Sequence, residues 1–374
     1  AVPLFVFMGV VLEKSGVAEE LLDTMGRVFG RIRGGLAISV VMVGALLAAT
    51  TGVVGASVVT MTVIALPSML KRGYAPSLAS GTIAASGTLG QIIPPSIILI
   101  LLGDVIGVPV GELFIGAVVP GIMLIVAYIL YIVYVAWRHP HLAPAVRDDN
   151  PELAALWISV LKSLLPPLLL IIAVLGSIFY GIASPTESAA VGALGSLILA
   201  ALHRRLTLPN LRDAMEKTAR LTSMVFLIFI GATAFGLVFV GMGGDGLILD
   251  IFSGLPGGKW TFLVLSMLLI FILGFFLDFI EICFIVVPII APVAIHLNID
   301  PLWFALLIAI NLQTSFLTPP FGFSLFYLKA SAPSNLKLMD IYRGIMPFVG
   351  IQIIVLALLI SFPAISLWLP NLMG

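Results

Sequence analysis

Asp278 and Glu281 stand three positions apart in the middle of the apolar stretch 260–296, and no Lys or Arg occurs between Lys259 and Lys329. An ionised carboxylate at mid-membrane costs about 2.5–3.5 kcal/mol on an insertion scale. Each acid therefore needs a partner: a proton, a cation, or the positive end of a helix. A second set of oxygens carries no charge. Thr50, Thr51, Gly52, Gly55 and Ser57 interrupt the apolar stretch 35–70, and Ser86, Gly87, Thr88 and Gly90 interrupt the next one. Neutral hydroxyls and carbonyls that no helix consumes are what a monovalent cation requires. Thr314, Ser315 and Thr318 repeat the pattern late in the chain; Pro319, Pro320 and Gly322 then open a helix whose free N–H groups suit an anion. Small residues also simply let helices approach, and it is the recurrence of the interruption that favours a functional reading.

That recurrence obeys one offset. Adding 225 to Pro67, Pro76, Pro94 and Pro95 gives Pro292, Pro301, Pro319 and Pro320, so the chain is internally duplicated. Hydrophobic residues fill 61% of 374 positions and charged residues 10%, against roughly 45–50% and about 25% in soluble domains. Such a chain belongs in lipid, where backbone polar groups must pair within helices. The fold class that follows is an all-α integral membrane protein with inverted repeats, each holding a re-entrant helical hairpin and a broken transmembrane helix. That layout is the one secondary transporters use to bind solute and ion at mid-membrane. A net charge of zero and the lack of a basic tract argue against nucleic acid. Cys283, the single cysteine, reads as packing, and His139, His141, His203 and His296 lack metal-ligand spacing. GGKW at 257–260 has neither the spacing nor the hydroxyl of a phosphate-binding loop, so the energy source is an ion gradient.

Four parts follow along the chain. Residues 1–34 comprise the tail of a helix, truncated at its N-terminus, and an amphipathic helix from Val17 that lies along the cytoplasmic membrane surface. Residues 35–142 form repeat one: a hairpin over 35–70, a helix broken at SGTLGQIIPPS, and a return span over 112–137. Residues 143–258 hold a linker, scaffold spans, a cap at SPTES built on Glu187, and an outside segment from Asp245 to Lys259. Residues 259–374 form repeat two: a hairpin centred on LDFIE, a helix broken at QTSFLTPPFG, and one last span over 345–369. Basic clusters fall on one side only if the two hairpins enter from opposite faces. No arginine lies in the spans to clamp a carboxylate, which leaves selectivity to backbone amides, hydroxyls and shape.

PLFVFMGVVLEKSG, the run TTGVVGASVVTMTVIALPSMLKRGYAPSLASGTIAASGTLGQIIPPSI, and the later series LD, NIDP and TPPFG make the chain resemble the large (DctM-like) membrane subunit of a tripartite ATP-independent periplasmic (TRAP) transporter. The resemblance covers essentially the whole chain. It implies a sodium-driven elevator in the bacterial or archaeal inner membrane, taking up a small organic acid anion, with Na+ as coupling ion and no other cofactor. It also implies two partners, a DctQ-like small membrane subunit and a DctP-like periplasmic substrate-binding protein. By position, one sodium sits between Thr50, Thr51, Gly52 and Ser57 and the run Ser86, Gly87, Thr88 and Gly90. The other sits between Gly274 and Asp278 and the set Thr314, Ser315 and Thr318. The solute lies between them, against Gly55, Pro94, Pro95 and Ser96 of repeat one and Glu281, Pro319, Pro320 and Gly322 of repeat two. A self-sufficient sodium/dicarboxylate symporter of the same superfamily is the nearest alternative. A more distant one is an intramembrane acid–base enzyme using Asp278 and Glu281, which share a helical face only if the tip is helical.

Overall fold

The structure is a computed structural model that describes the chain except residues 53, 146–152, 254, 255, 335 and 374, and except the side chains of Thr50, Thr51, 153–159 and Ser253. The linker reading for 143–152 thus lies largely outside the described residues. Among the described residues there is no strand. In chain order the helices are α1 (Val2–Lys14), α2 (Val17–Gly30), α3 (Gly35–Thr51), α4 (Val54–Lys71), α5 (Pro76–Thr88), α6 (Ile97–Ile106), α7 (Val110–Arg138), α8 (Leu153–Phe179) and α9 (Pro185–Leu202). They continue with α10 (Leu208–Gly241), α11 (Gly244–Ser253), α12 (Gly258–Leu273), α13 (Phe279–Glu281), α14 (Val287–His296), α15 (Pro301–Leu317), α16 (Phe323–Ser331), α17 (Leu338–Ser361) and α18 (Ala364–Met373). A 3-10 turn, Leu89–Gln91, follows α5, and a π-helical turn, Ile282–Val286, joins α13 to α14.

Adding 225 to the ends of α3 through α7 reproduces the ends of α12 through α17 to within four residues. The same shift carries α2 onto α11 and α1 onto the last third of α10. The sequence duplication is thus a duplication of structure. Its two copies run in opposite directions, as two contacts on α17 prove. Near the start of α17, Gly344 lies backbone to backbone against Gly81 and Ser77 of α5. Near its end, the Leu359 carbonyl accepts a 2.9 Å bond from the Trp303 indole N–H at the start of α15. A helix of 24 residues is about 36 Å long, so α5 and α15 begin at opposite ends of the molecule.

These two helices form the centre. From Leu302 to Leu317 every residue of α15 is buried, and so is every residue of α5 from Leu78 to Thr88; helices apolar or small all round are buried all round. The Gly81–Gly344 crossing leaves no room for a Cβ on either side. We predict that Gly344→Val lowers stability by about 3 kcal/mol, the upper range for overpacking, because backbone rather than a movable side chain stands in the way. Thermal unfolding of the detergent-solubilised variant at the wild-type midpoint would contradict this close crossing.

Among the described residues seven helices are long and apolar enough to cross a membrane, and the shorter apolar helices α3, α6, α12, α15 and α18 belong to the hairpins, the half-helices and the end of the chain. α10 buries only Ala214, Val225 and Ala232 among its 34 residues, leaving Phe226, Leu227, Ile230 and Leu237 outward, as a lipid-facing helix does.

Three expectations are revised. The apolar stripe of α2 is covered by α3 and α8 rather than by lipid, with Val17, Leu21, Leu22 and Met25 buried. Its polar face is held too, since Ser163 of α8 donates to Glu20 at 2.6 Å and His203 lies 3.3 Å from the same carboxylate. The outside segment from Asp245 contains a helix, α11, with Phe252 packed edge-on against Phe262 at 5.1 Å. The last span is two helices, because Pro363 lacks the N–H that would carry α17 onward.

Candidate functional site

Each hairpin tip meets the break of its own repeat's central helix. In repeat one, α3 ends on Gly52 in the left-handed conformation (φ 59°), a geometry that glycine adopts without strain. The place where its side chain would be faces Ile97, the first residue of α6, at 3.1 Å. One turn back, a side chain on Gly90 would begin 3.0 Å from the Ala48 backbone carbonyl, and one on Gly87 would begin 2.5 Å from Val58 of α4. Ser57 and Ser86 are also buried, Ser86 against Gly44 of α3. The run Ser86–Gly90 thus packs along both arms of the first hairpin, while Gly52 at its tip meets the far side of the break at Ile97. The side chains of Thr50 and Thr51 lie outside the described residues.

Repeat two does the same with different residues. Gly274 ends α12 so close to the Ser315 hydroxyl that any side chain would displace it. Asn311 donates to the Met267 carbonyl at 2.6 Å, and the rings of Phe279 and Phe316 meet at 6.1 Å. Gly274, Ser315 and Thr314 are buried, while Asp278 and Thr318 are half-buried.

Asp278 lies just before α13, not within it. Its carboxylate accepts the Phe279 amide at 2.8 Å, and Glu281 reaches back to accept the Asp278 amide at 3.0 Å. This reciprocal capping box places both charges at the positive end of a helix, which offsets part of their burial cost. Of the partners left open by the sequence, the helix terminus is the one seen, and each carboxylate keeps a second oxygen for another ligand. Neither acid is arranged as a helical-face acid–base pair. Glu187 forms a similar box with Ser184 at the start of α9, its carboxylate accepting the Ser184 amide at 2.8 Å.

The hydroxyls have a shared orientation. Ser86 donates to Ile83, Thr88 to Ala85, Thr314 to Ile310, Ser315 to Leu312 and Thr318 to Thr314, all to backbone carbonyls at 2.7–3.1 Å. Each proton is spent within its own helix, so what the oxygen presents outward is lone pairs. Residues 92–96 and 318–322 lie outside regular helix, and their carbonyls add to the set. Among the described residues no three His, Cys, Asp or Glu converge. The donors at the two breaks are thus hard oxygens, mostly neutral, suited to an alkali cation rather than to a transition metal.

The residues read as the solute set are unequally buried. The prolines of each pair are joined by a cis peptide; Pro94, Pro95 and Ser96 are buried, whereas Pro319 is half-buried and Pro320 exposed. Ser96 donates to the Gln91 carbonyl at 2.8 Å. Gly55 lies against the Tyr327 ring of α16, and Gly322 is buried under the Thr318 carbonyl.

The periodicity of the sequence does not single out the residues that join the two sets. The Gln313 amide lies 3.5 Å from the Thr88 hydroxyl, and 88 plus 225 is 313. Two equivalent residues can touch only on the axis relating the repeats, so that axis passes between the two clusters. Tyr128 and Gln352, of the two return helices, bond at 2.7 Å and are fully buried.

Comparison with known proteins adds a family, two relatives and a fold. The family model described as "Tripartite ATP-independent periplasmic transporter, DctM component" matches residues 1–365. The C4-dicarboxylate TRAP transporter large permease protein DctM of Pseudomonas aeruginosa is 32% identical over 375 residues, covering 100% of this chain and 86% of that protein. The isethionate TRAP transporter permease protein DctMQ of Oleidesulfovibrio alaskensis is 29% identical, covering 98% of this chain and 57% of that longer protein. In fold, the chain is similar to the YdaH transporter of Alcanivorax borkumensis, with a TM-score of 0.64 over 98% of this chain and 86% of that one, at 14% identity.

Proposed function

We propose, for a chain that belongs to the DctM family of tripartite ATP-independent periplasmic transporters and is the large permease component of such a system, that sodium ions at the two hairpin tips drive uptake of a small organic anion bound between them. The chain is a multi-pass membrane transporter subunit, not an enzyme. The observation that carries the sodium reading is the paired clusters of buried hydroxyls whose protons are already committed. Such oxygens are preorganised acceptors, and a cation entering them displaces no hydroxyl proton; at Thr88 it displaces only the 3.5 Å contact from the Gln313 amide. The first ion is assigned to Gly52, Ser57 and Ser86–Gly90, the second to Gly274, Asp278, Thr314, Ser315 and Thr318.

C4-dicarboxylates and isethionate, for which two relatives are named, are small organic anions. No arginine reaches the space between the breaks, so the solute is held there by backbone amides at the start of α16 and by the open second break. The small membrane subunit and the periplasmic binding protein complete the system; the longer DctMQ relative is consistent with a small subunit joined to a large one. In the elevator reading, the hairpins and broken helices slide as one body against α8, α9 and the first part of α10.

The test is reconstitution with the small subunit and the cognate binding protein loaded with the solute that co-purifies with it. Uptake is expected only with an inward sodium gradient. Equal uptake with potassium or choline in place of sodium would refute the coupling, and sodium-driven uptake by the chain alone would favour a self-sufficient symporter.

A further inference from the structure

The hairpins leave the molecule with two lateral cavities that the repeat relates but charge distinguishes. One, of about 800 Å³, lies between the end of α10, α11 and the second arm of the second hairpin, and its wall carries Asp104, Asp245 and His296. The other, of about 420 Å³, lies between α1, α10 and α4, and its wall carries Glu13, Lys217 and Arg220. Val10 and Val59 line the second where Phe235 and Phe284, 225 positions on, line the first. The backbone symmetry is kept while the charge is inverted.

Beside the smaller cavity three cations, Lys14, Lys217 and Arg220, share the field of one carboxylate, Asp213. Lys14 pairs with Asp213, and Lys217 stands 3.8 Å from that same carboxylate. Glu13 is hydrogen-bonded by Thr60 and lies in the field of Lys217 and Lys14. Among the described residues no carboxylate is within ion-pair distance of Arg220, whose side chain is exposed. The cavity's inner wall is Gly55 and Tyr327, with the Tyr327 ring 3.0–3.2 Å from where a Gly55 side chain would begin. Tyr327 is also within electrostatic reach of Asp278. The cavity therefore runs from the first hairpin, at Gly55 and Tyr327, to Lys217 and Arg220 of α10, beside the carboxylate of Asp213 that Lys14 and Lys217 share.

We propose that this cavity is the cytoplasmic exit vestibule for the transported anion, and that Arg220 receives its carboxylate or sulfonate as it leaves the hairpin tips. The inference rests on the organic-anion reading above. A guanidinium can grip either group with two parallel N–H bonds, and one exposed to water binds weakly, which suits release rather than retention. Only the packing of α10 on α1 brings Arg220 to the hairpin.

The test uses a small organic sulfonate directly. Cys283 is the only cysteine and is fully buried, so Val59→Cys adds one reachable thiol to a silent background. Its reaction rates with sulfonatoethyl methanethiosulfonate and with the trimethylammonium counterpart are compared in phosphatidylcholine liposomes, each scaled to its rate with 2-mercaptoethanol. The scaled ratio of anionic to cationic rates is expected to exceed one. It should fall about fivefold in Arg220→Gln, the scale of a single nearby charge screened by salt, and hold in Arg220→Lys. A Gln variant that does not fold is replaced by Lys217→Gln, which should lower the ratio in the same direction. A ratio unmoved by these neutral substitutions, or a thiol that neither reagent reaches, overturns the proposal. So does a ratio that collapses to one when phosphatidylglycerol is included, since a lipid headgroup would then occupy the guanidinium. Sodium does not enter this readout: a flat ratio defeats the vestibule even where uptake is sodium-driven, whereas a neutral or cationic solute would defeat the anion reading and leave the ratio standing.

Discussion

Gly274→Val should abolish sodium-driven uptake, because a side chain at this position must occupy the space of the Ser315 hydroxyl. Ser315 cannot yield. It is fully buried, bonded to the Leu312 carbonyl at 2.9 Å, and carried by a helix with no exposed residue from Leu302 onward. Overpacking of this kind costs about 1–3 kcal/mol, and here the strain falls on an assigned ion ligand, so the second sodium site is lost while the first is intact. The initial rate of uptake in proteoliposomes is expected to fall about a hundredfold, the factor that ~2.7 kcal/mol represents in an equilibrium constant. Gly274→Ala should show a smaller loss in the same direction. A rate within twofold of wild type in the valine variant would remove Gly274 and Ser315 from the site.

Asp278 separates capping from ion binding. Asp278→Ala deletes the acceptor of the Phe279 amide, costing about 0.5–2 kcal/mol as a lost cap, and removes a charge from the tip. Asn caps a helix about as well as Asp but carries no charge. If the carboxylate both caps α13 and faces the ion, Asp278→Asn regains the thermal stability lost in Asp278→Ala and still loses about 1.5–3 kcal/mol of sodium affinity, the worth of a hydrogen-bonding or coordinating charge. That corresponds to roughly 10- to 100-fold in the sodium concentration for half-maximal uptake. An Asn variant with wild-type sodium dependence would reduce Asp278 to a cap.

Much of the architecture was legible because backbone rules write themselves into sequence. Proline pairs cannot continue a helix, so TLGQIIPP and SFLTPP marked both breaks, and the 225 spacing tied them together before any coordinate was known. Glu187 in SPTES read as a loop or half-helix cap, and with Ser184 it forms one. Two of the misreadings share one cause: an apolar stripe says that a face is covered but not by what. The stripe of α2 suited lipid and is covered by α3 and α8. In α11, Ile248, Leu249 and Phe252 pack inward in a segment read as an outside connection, although the repeat offset from α2 points to a helix. What joins the two halves was out of reach for a different reason. Thr88 with Gln313, Tyr128 with Gln352, and Arg220 beside the first hairpin are contacts between distant elements, and local periodicity holds no record of which surface a helix meets.

The central claim is that unwound backbone and proton-committed hydroxyls at the two hairpin tips bind sodium, and thermal unfolding of the purified chain in sodium, potassium or choline chloride at equal ionic strength tests it most directly. The account predicts stabilisation by sodium alone, saturating with concentration as a ligand that binds only the folded state must. Thr88→Ala and Thr318→Ala should each remove part of that shift, and the pair together should remove all of it. Equal stabilisation by all three salts, or a full sodium shift in the double variant, would contradict it.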